Sequence, residues 1–282
     1  MTKTRTVTRI IIAKPTMEGA GVKLNRVFGN SETALTDPFL LLDDFSSANP
    51  ADFIAGFPWH PHRGIETITY VLSGEVRHED SLGNKSSIGA GDVQWMTAGS
   101  GIIHQEMPVD TGGPMLGFQL WANLPASHKM MKPRYQEIKA DRIPVVKTSE
   151  GYEIRIICGA VEGVRGPVED IIAAPEYLDV TMPASAAFIH GIASGNTAFA
   201  YVISGSARFD SSARKSIGMQ RLALFDDDGF VRVQTDGGPA RFLLICGKPI
   251  REPIAWYGPI VMNTEEELRT AFREYEEGSF IK

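Results

Sequence analysis

Cysteine is scarce in this chain: 282 residues carry two, Cys158 and Cys246. Each lies in an apolar, strand-like run (Arg155-Ile156-Ile157-Cys158 and Leu243-Leu244-Ile245-Cys246), so the pair reads as buried reduced thiols and a disulfide framework is excluded. Long hydrophobic runs are missing as well. After Met1-Thr2-Lys3-Thr4-Arg5 comes only the brief Ile10-Ile11-Ile12, too short for a signal-peptide core or a membrane span, so the expected compartment is the cytoplasm and no membrane partner is expected. Basic tracts are absent, and 28 Lys+Arg against 34 Asp+Glu leave a formal net charge of -6. That balance argues against gripping nucleic acid or an anionic membrane directly. Histidine is the last scarcity, with six in all, and their placement is therefore informative.

What is present describes a soluble all-β protein. The 43% hydrophobic and 22% charged content is ordinary for a globular chain, and the length suits two compact domains. Short apolar runs are separated by glycine turns at Ser73-Gly74, Gly83-Asn84, Gly89-Ala90-Gly91-Asp92 and Ala98-Gly99-Ser100-Gly101, the pattern of a sandwich or barrel. Phe39-Leu40-Leu41-Leu42 reads as a buried strand, and Ser127 to Met131 as a single helical turn. One longer helix is expected near the C-terminus. Asn263 or Thr264 caps it, Glu265-Glu266-Glu267 suit the positive end of its dipole, and Gly278 stops it. Its stripe of Leu268, Ala271, Phe272 and Tyr275 is packing surface, expected to cover a barrel edge.

The chain also repeats itself. Tyr201-Val202-Ile203-Ser204-Gly205 echoes Tyr70-Val71-Leu72-Ser73-Gly74 at an offset of 131 residues, and Gly237-Gly238-Pro239 echoes Gly112-Gly113-Pro114. An internal duplication of one barrel unit follows. Charge rises and pattern weakens from Lys139 to Gly151, which predicts domains at 1–138 and 139–282.

Two stretches carry the chemistry. In Trp59-His60-Pro61-His62-Arg63-Gly64-Ile65-Glu66 the side chains of His60, His62 and Glu66 share a parity, and in His104-Gln105-Glu106 so do the two outer residues. In a strand, i and i+2 face the same side. Should the two strands pair or face each other in a barrel, three imidazoles and one or two carboxylates meet inside it. A lone His-x-His is more often a surface pair; three of six histidines in two such pairs, each beside a carboxylate, call for a cation to offset their burial. Imidazole and carboxylate without thiolate suit iron, manganese, nickel, copper, cobalt or zinc, with Fe(II) expected. Carried to the second half, the 131-residue offset puts Gly191, Ala193 and Thr197 at the ligand positions, so that barrel is expected to be metal-free. His190 then falls on the opposite parity, as a hydrogen-bonded or surface residue.

Pro58-Trp59-His60-Pro61-His62-Arg63-Gly64-Ile65-Glu66-Thr67, the run Gly91 to Pro108 and Pro249-Ile250-Arg251-Glu252-Pro253 closely resemble the pirin family. The resemblance covers nearly the whole chain and implies a bicupin, two β-barrel or jelly-roll domains facing each other, with one metal in the N-terminal barrel. It also implies that His60, His62, His104 and Glu106 are the ligands, which moves Glu66 to a supporting position or the pocket wall; Arg63 reads either as its partner or as an exposed surface residue. The activity implied is that of a quercetin 2,3-dioxygenase, opening a flavonol or similar planar enol with dioxygen. Glu106 or Glu66 would act as base; Phe57, Trp95, Met96 and Met107, near the ligands in sequence, are candidates for the cavity wall, with ordinary core packing the commoner role for any one of them. Other family members imply the alternative, an iron-binding, redox-sensing regulator that works through a protein partner.

Overall fold

The computed structural model describes residues 3–172, 175–210 and 216–282. The chain is all-β, with one long helix, Glu265–Glu276, and divides into two compact units. One comprises Lys14–Ala34, Pro38–Ala140 and Ile250–Lys282, and the other Met1–Ala13, Leu35–Asp37 and Asp141–Pro249. Among the described residues no helix is long and apolar enough to cross a membrane.

In the first unit a seven-stranded antiparallel sheet runs in the order Arg134–Ile138, Val93–Thr97, Ile65–Ser73, Leu116–Asn123, Phe39–Asp44, Val22–Phe28, Lys14–Glu18. Pro15 lies in the outermost strand, where a residue without an N–H leaves no ladder bond unmade. Phe39–Asp44 is buried throughout, as its apolar run predicts. A second sheet of four strands, Phe57–His62, Ile102–Val109, Glu75–Asp80 and Lys85–Ile88, completes the barrel.

The main sheet of the second unit has the order Val7–Ile12, Arg221–Phe225, Thr197–Ala207, Ala240–Gly247, Glu176–Met182, Glu153–Cys158, Val145–Lys147. The duplication read from sequence is visible in it: Tyr70 pairs with Phe118 in one sheet and Tyr201 with Leu243 in the other. The strands after Gly113-Pro114 and Gly238-Pro239 hold the same central place.

The expected division at 138/139 differs from these units at both ends. The place filled by Arg134–Ile138 beside Val93–Thr97 in one sheet is filled by Val7–Ile12 beside Arg221–Phe225 in the other. The chain's early strand therefore counts with the later barrel. Conversely the terminal helix belongs with the first unit, where Leu268 and Ala271 pack with Ile260, Met262 and Phe280. Thr264 caps it, accepting from Glu267 N while the Glu267 carboxylate accepts from Thr264 N. Tyr275, expected in the packing stripe, is 39% exposed at its margin and meets the Phe280 ring edge-on.

Candidate metal centre

Alternation places the ligand candidates. Along Ile102–Val109 the buried residues are Ile102, His104 and Glu106, and along Glu75–Asp80 they are Val76, His78 and Asp80. The two strands pair with His104 opposite Asp80 and Glu106 opposite His78. On its other side Ile102–Val109 pairs with Phe57–His62, and there His104 stands opposite His60. His60, His62 and His104 consequently form one cluster, with ring centroids 4.4 to 5.0 Å apart. His78, His104 and Glu106 form an adjoining one that shares His104.

The hydrogen bonds fix which nitrogens face inward. His60 Nδ1 lies 2.8 Å from Pro58 O and His62 Nδ1 2.9 Å from Pro259 O, so each Nδ1 carries the proton and each Nε2 presents a lone pair. Those two Nε2 atoms stand 3.1 Å apart. Two bare lone pairs at that distance repel unless a cation lies between them. Donors about 2.1 Å from one ion and at right angles would be separated by roughly this much. Buried His104 Nε2 has no protein hydrogen-bond partner. Burial, reinforced by the neighbouring imidazoles, pushes His62 and His104 well below the ordinary histidine range, and burial lowers His60 too. Neutral rings with free lone pairs are the form a metal requires. Glu106 adds the carboxylate: Thr69 Oγ1 donates to its Oε1 at 2.8 Å and Gln119 Nε2 to its Oε2 at 3.1 Å. The donor set therefore fits a divalent cation of the borderline first-row kind.

Other expected residues lie elsewhere. Glu66 is buried in Ile65–Ser73, its Oε1 accepting from Thr97 Oγ1 at 2.7 Å, and does not line the cavity described below. Its parity with His62 is lost because the chain turns between them. Gly64 adopts φ +78, and a Cβ there would meet Val261 O at 2.0 Å, so the run is two strands in two sheets. Burial raises the Glu66 carboxyl. Arg63 does not pair with it. Its guanidinium is buried and donates to Ser100 O, Glu274 Oε2 and Phe280 O at 2.7, 2.7 and 2.9 Å, over the Phe280 ring. Trp95 and Met96 are core residues, and Met107 packs near Gly56; of the four expected wall residues, Phe57 alone lines the cavity.

That cavity, about 650 Å³, falls within the usual range for small-molecule sites. His60, His62 and Glu106 sit on its wall with Thr69 and Gln119, and Phe57, Trp121 and Trp256 supply aromatic surface. Trp121 meets the His62 ring edge-on. Arg26 on the wall holds both other nearby carboxylates, bonding Asp43 through two nitrogens and Glu18 through a third. Tyr257, 71% exposed, is also part of the lining, so the cavity reaches solvent.

Sequence reasoning missed Thr69, Gln119 and His78. For His78 the signal was available: His78-x-Asp80 has the same i, i+2 spacing as the ligand pairs.

In the second barrel the strands Ala187–Gly191 and Phe230–Gln234 occupy the corresponding places, and the register there corrects the sequence alignment by one residue. Phe188, Val231 and Val233 are the buried residues, and His190 stands opposite Val231 as His60 stands opposite His104. A one-residue slip exchanges the faces of a strand. The counterparts of His60, His62, His104 and Glu106 are thus His190, Ile192, Val231 and Val233, so Gly191 and Ala193 are each one residue off, whereas Thr197 does stand where Glu66 stands, opposite Gly247 as Glu66 is opposite Ala122. His190 stacks beside Phe188 and bonds Glu176 at 2.8 Å.

Family models for pirin and for the pirin C-terminal cupin domain match residues 21–122 and 177–281. The chain is 42% identical over 282 residues, 99% of each chain, to a Pseudomonas aeruginosa protein provisionally named a quercetin 2,3-dioxygenase. It is 38% identical over 279 residues to pirin from Homo sapiens, covering 98% of this chain and 93% of that one. Among solved structures it is similar to a quercetin 2,3-dioxygenase from Acinetobacter baumannii, with a TM-score of 0.89, 29% identity and 99% of each chain covered.

Proposed function

The chain belongs to the pirin family, a family of paired cupin barrels, and from that premise we propose that it is a metal-dependent dioxygenase of the quercetin 2,3-dioxygenase type. The observation that carries the reading is the cluster of three neutral imidazoles, His60, His62 and His104, with His60, His62 and Glu106 on the wall of one solvent-reaching cavity with aromatic sides. The names of the relatives from Pseudomonas aeruginosa and Acinetobacter baumannii support it.

His60, His62, His104 and Glu106 would hold one divalent ion, for which we propose iron(II). When bound, the ion supplies Lewis acidity toward a vicinal hydroxyl and carbonyl and a redox partner for dioxygen. The rest of the work falls to the chain. Phe57, Trp121 and Trp256 give a planar substrate apolar faces to lie against and exclude water from the reacting edge. Glu106 is the carboxylate on the cavity wall not engaged by Arg26, and it takes the proton of the flavonol 3-hydroxyl. Thr69 and Gln119 aim its two oxygens. Glu66, held by Thr97 away from the cavity, has no part in that transfer.

The test is dioxygen uptake and product formation over a small flavonoid panel, with metal content measured on the same sample. Metal-loaded protein is expected to open the flavonol ring at a rate that follows occupancy. Product yield unchanged after complete metal removal overturns the reading. No product from loaded protein across the panel favours a redox-responsive regulator acting through a protein partner.

A further inference from the structure

Each imidazole in the cluster needs an acceptor for its Nδ1–H if its Nε2 lone pair is to face the others. His60 and His62 use backbone carbonyls, Pro58 O and Pro259 O. For His104 the hydrogen bonds place no carbonyl at that atom; the group beside its Nδ1 is His78 Nδ1, at 3.4 Å. His78 is fully buried, its ring stacked on Tyr135 at 4.8 Å.

An imidazole can accept at Nδ1 only when its proton sits on Nε2. His78 Nε2 lies 3.2 Å from Asp80 Oδ2, with both side chains fully buried. Asp80 is itself fixed. Leu82 N and Asn84 N donate to its Oδ1 at 2.9 and 3.0 Å, and Asn84 Nδ2 donates to its Oδ2 at 2.8 Å. The Gln94 amide nitrogen, 2.8 Å from His78 Nδ1, donates to the same lone pair, so that His78 Nδ1 is the shared acceptor of a three-centre bond with His104 Nδ1 as its longer arm.

Resting on the metal reading above, we propose that the Asp80–His78 pair is the positioning device for His104: Asp80 holds the His78 proton on Nε2, His78 Nδ1 accepts the Nδ1–H of His104, and His104 Nε2 is thereby aimed into the cluster. It extends by one ring the common arrangement in which a carboxylate or carbonyl orients a ligating histidine. His78 on this account is not itself a ligand, although it lies beside His104 and Glu106.

The experiment compares two substitutions by two readouts. His78→Phe keeps a ring on Tyr135 and removes the acceptor, whereas His78→Asn keeps an acceptor near the Nδ1 position and removes the ring. Long-range ¹⁵N–¹H spectra of the metal-free protein report the tautomer of each imidazole, and competition between the protein and a chelator for cobalt(II) reports affinity. In the wild type His104 should carry its proton on Nδ1 and His78 on Nε2. His78→Phe should lose the His104 preference and weaken cobalt binding about 10–100-fold; His78→Asn should restore most of both.

Asp80→Asn is the second variant, for use should His78→Phe fail to fold. The two backbone donors keep an oxygen at the Oδ1 place, so the amide nitrogen must face His78 Nε2 and drive the His78 proton to Nδ1, against His104. The same loss is expected. A His104 tautomer unmoved in both His78→Phe and Asp80→Asn overturns the proposal. So does a doubly protonated His78 in the wild type, rescue by Phe in place of Asn, or a cobalt spectrum showing that His78 is a donor. Because the tautomers are read without metal, a wild type that takes up no cobalt sinks the metal reading and leaves this measurement to decide the positioning role alone.

Discussion

Along Ile102–Val109 the first barrel turns Ile102, His104 and Glu106 inward, whereas along Phe230–Gln234 the second turns Val231 and Val233. The consequence runs through both interiors. In the second barrel Ile192, Val231 and Val233 join one apolar cluster that extends from Ile154 through Phe188, Phe209 and Phe242 to Cys246. In the first, apolar residues form separate groups, one around Phe45, Phe53 and Val71 and another around Leu40, Ile65 and Met96, with the histidines, Glu106 and the cavity occupying the remainder. One interior has been given over to packing and the other to a cavity beside clustered imidazoles. His190 shows how little separates them: a single retained imidazole, without the three donors that would make a cluster, is absorbed by a hydrogen bond to Glu176.

The comparison can be broken most severely at the ligands. His62→Ala with His104→Ala should reduce metal from one per chain to background by elemental analysis, while His190→Ala, at the counterpart of His60, leaves it unchanged. Undiminished metal in the double variant would place the site elsewhere. A step smaller, Glu106→Gln should weaken metal binding and, at saturating metal, lower turnover by a further factor on the order of 10²–10⁴. Glu66→Gln should leave turnover near the wild type, and steady-state rates at measured occupancy distinguish the two. Packing provides the converse. Phe242→Ala, inside the apolar cluster of the second barrel and in edge contact with Phe209, should cost about 3–5 kcal/mol in denaturant unfolding and leave chelator-competition affinity unaltered. The smallest effect is in pH. Burial holds His62 and His104 well below 6.5 in the metal-free fold, so as pH falls through about 6.5 the unfolded chain binds protons that the folded one refuses. Metal-free stability should fall with it, at up to about 1.4 kcal/mol per pH unit for each histidine. His62→Ala with His104→Ala should flatten the curve; an equally steep decline would show that other groups set it.

How far the sequence could be read followed from the range of each signal. His60 with His62, and His104 with Glu106, lie within single strands, where a period of two is reliable. The all-β class, the capped helix at Thr264 and the duplication marked by Tyr70 and Tyr201 are likewise local or repeated patterns. Glu66 was misplaced because parity does not survive the turn at Gly64, whose positive φ starts a new strand. Arg63 was misassigned for a related reason: its partners, Glu274 and Phe280, are more than 200 residues away. The alignment of His190 failed by one residue, since the offset set by Tyr70 and Tyr201 does not hold along the preceding strand. Neither did local pattern reveal that Val7–Ile12 completes the second barrel and the terminal helix the first.

That exchange of ends sets an order of assembly. Val7 must wait for Phe225 before its strand has a neighbour, and Arg63, one residue past a proposed ligand, gains its clamp on Phe280 O only after 217 further residues have been made. On the ribosome both barrels are therefore still open while most of the chain is already outside. Closing such distant contacts is slow, and the unpaired strand edges exposed meanwhile are the surfaces through which chains aggregate. The residues beside the candidate metal centre are thus among the last to be locked, after synthesis has passed residue 280.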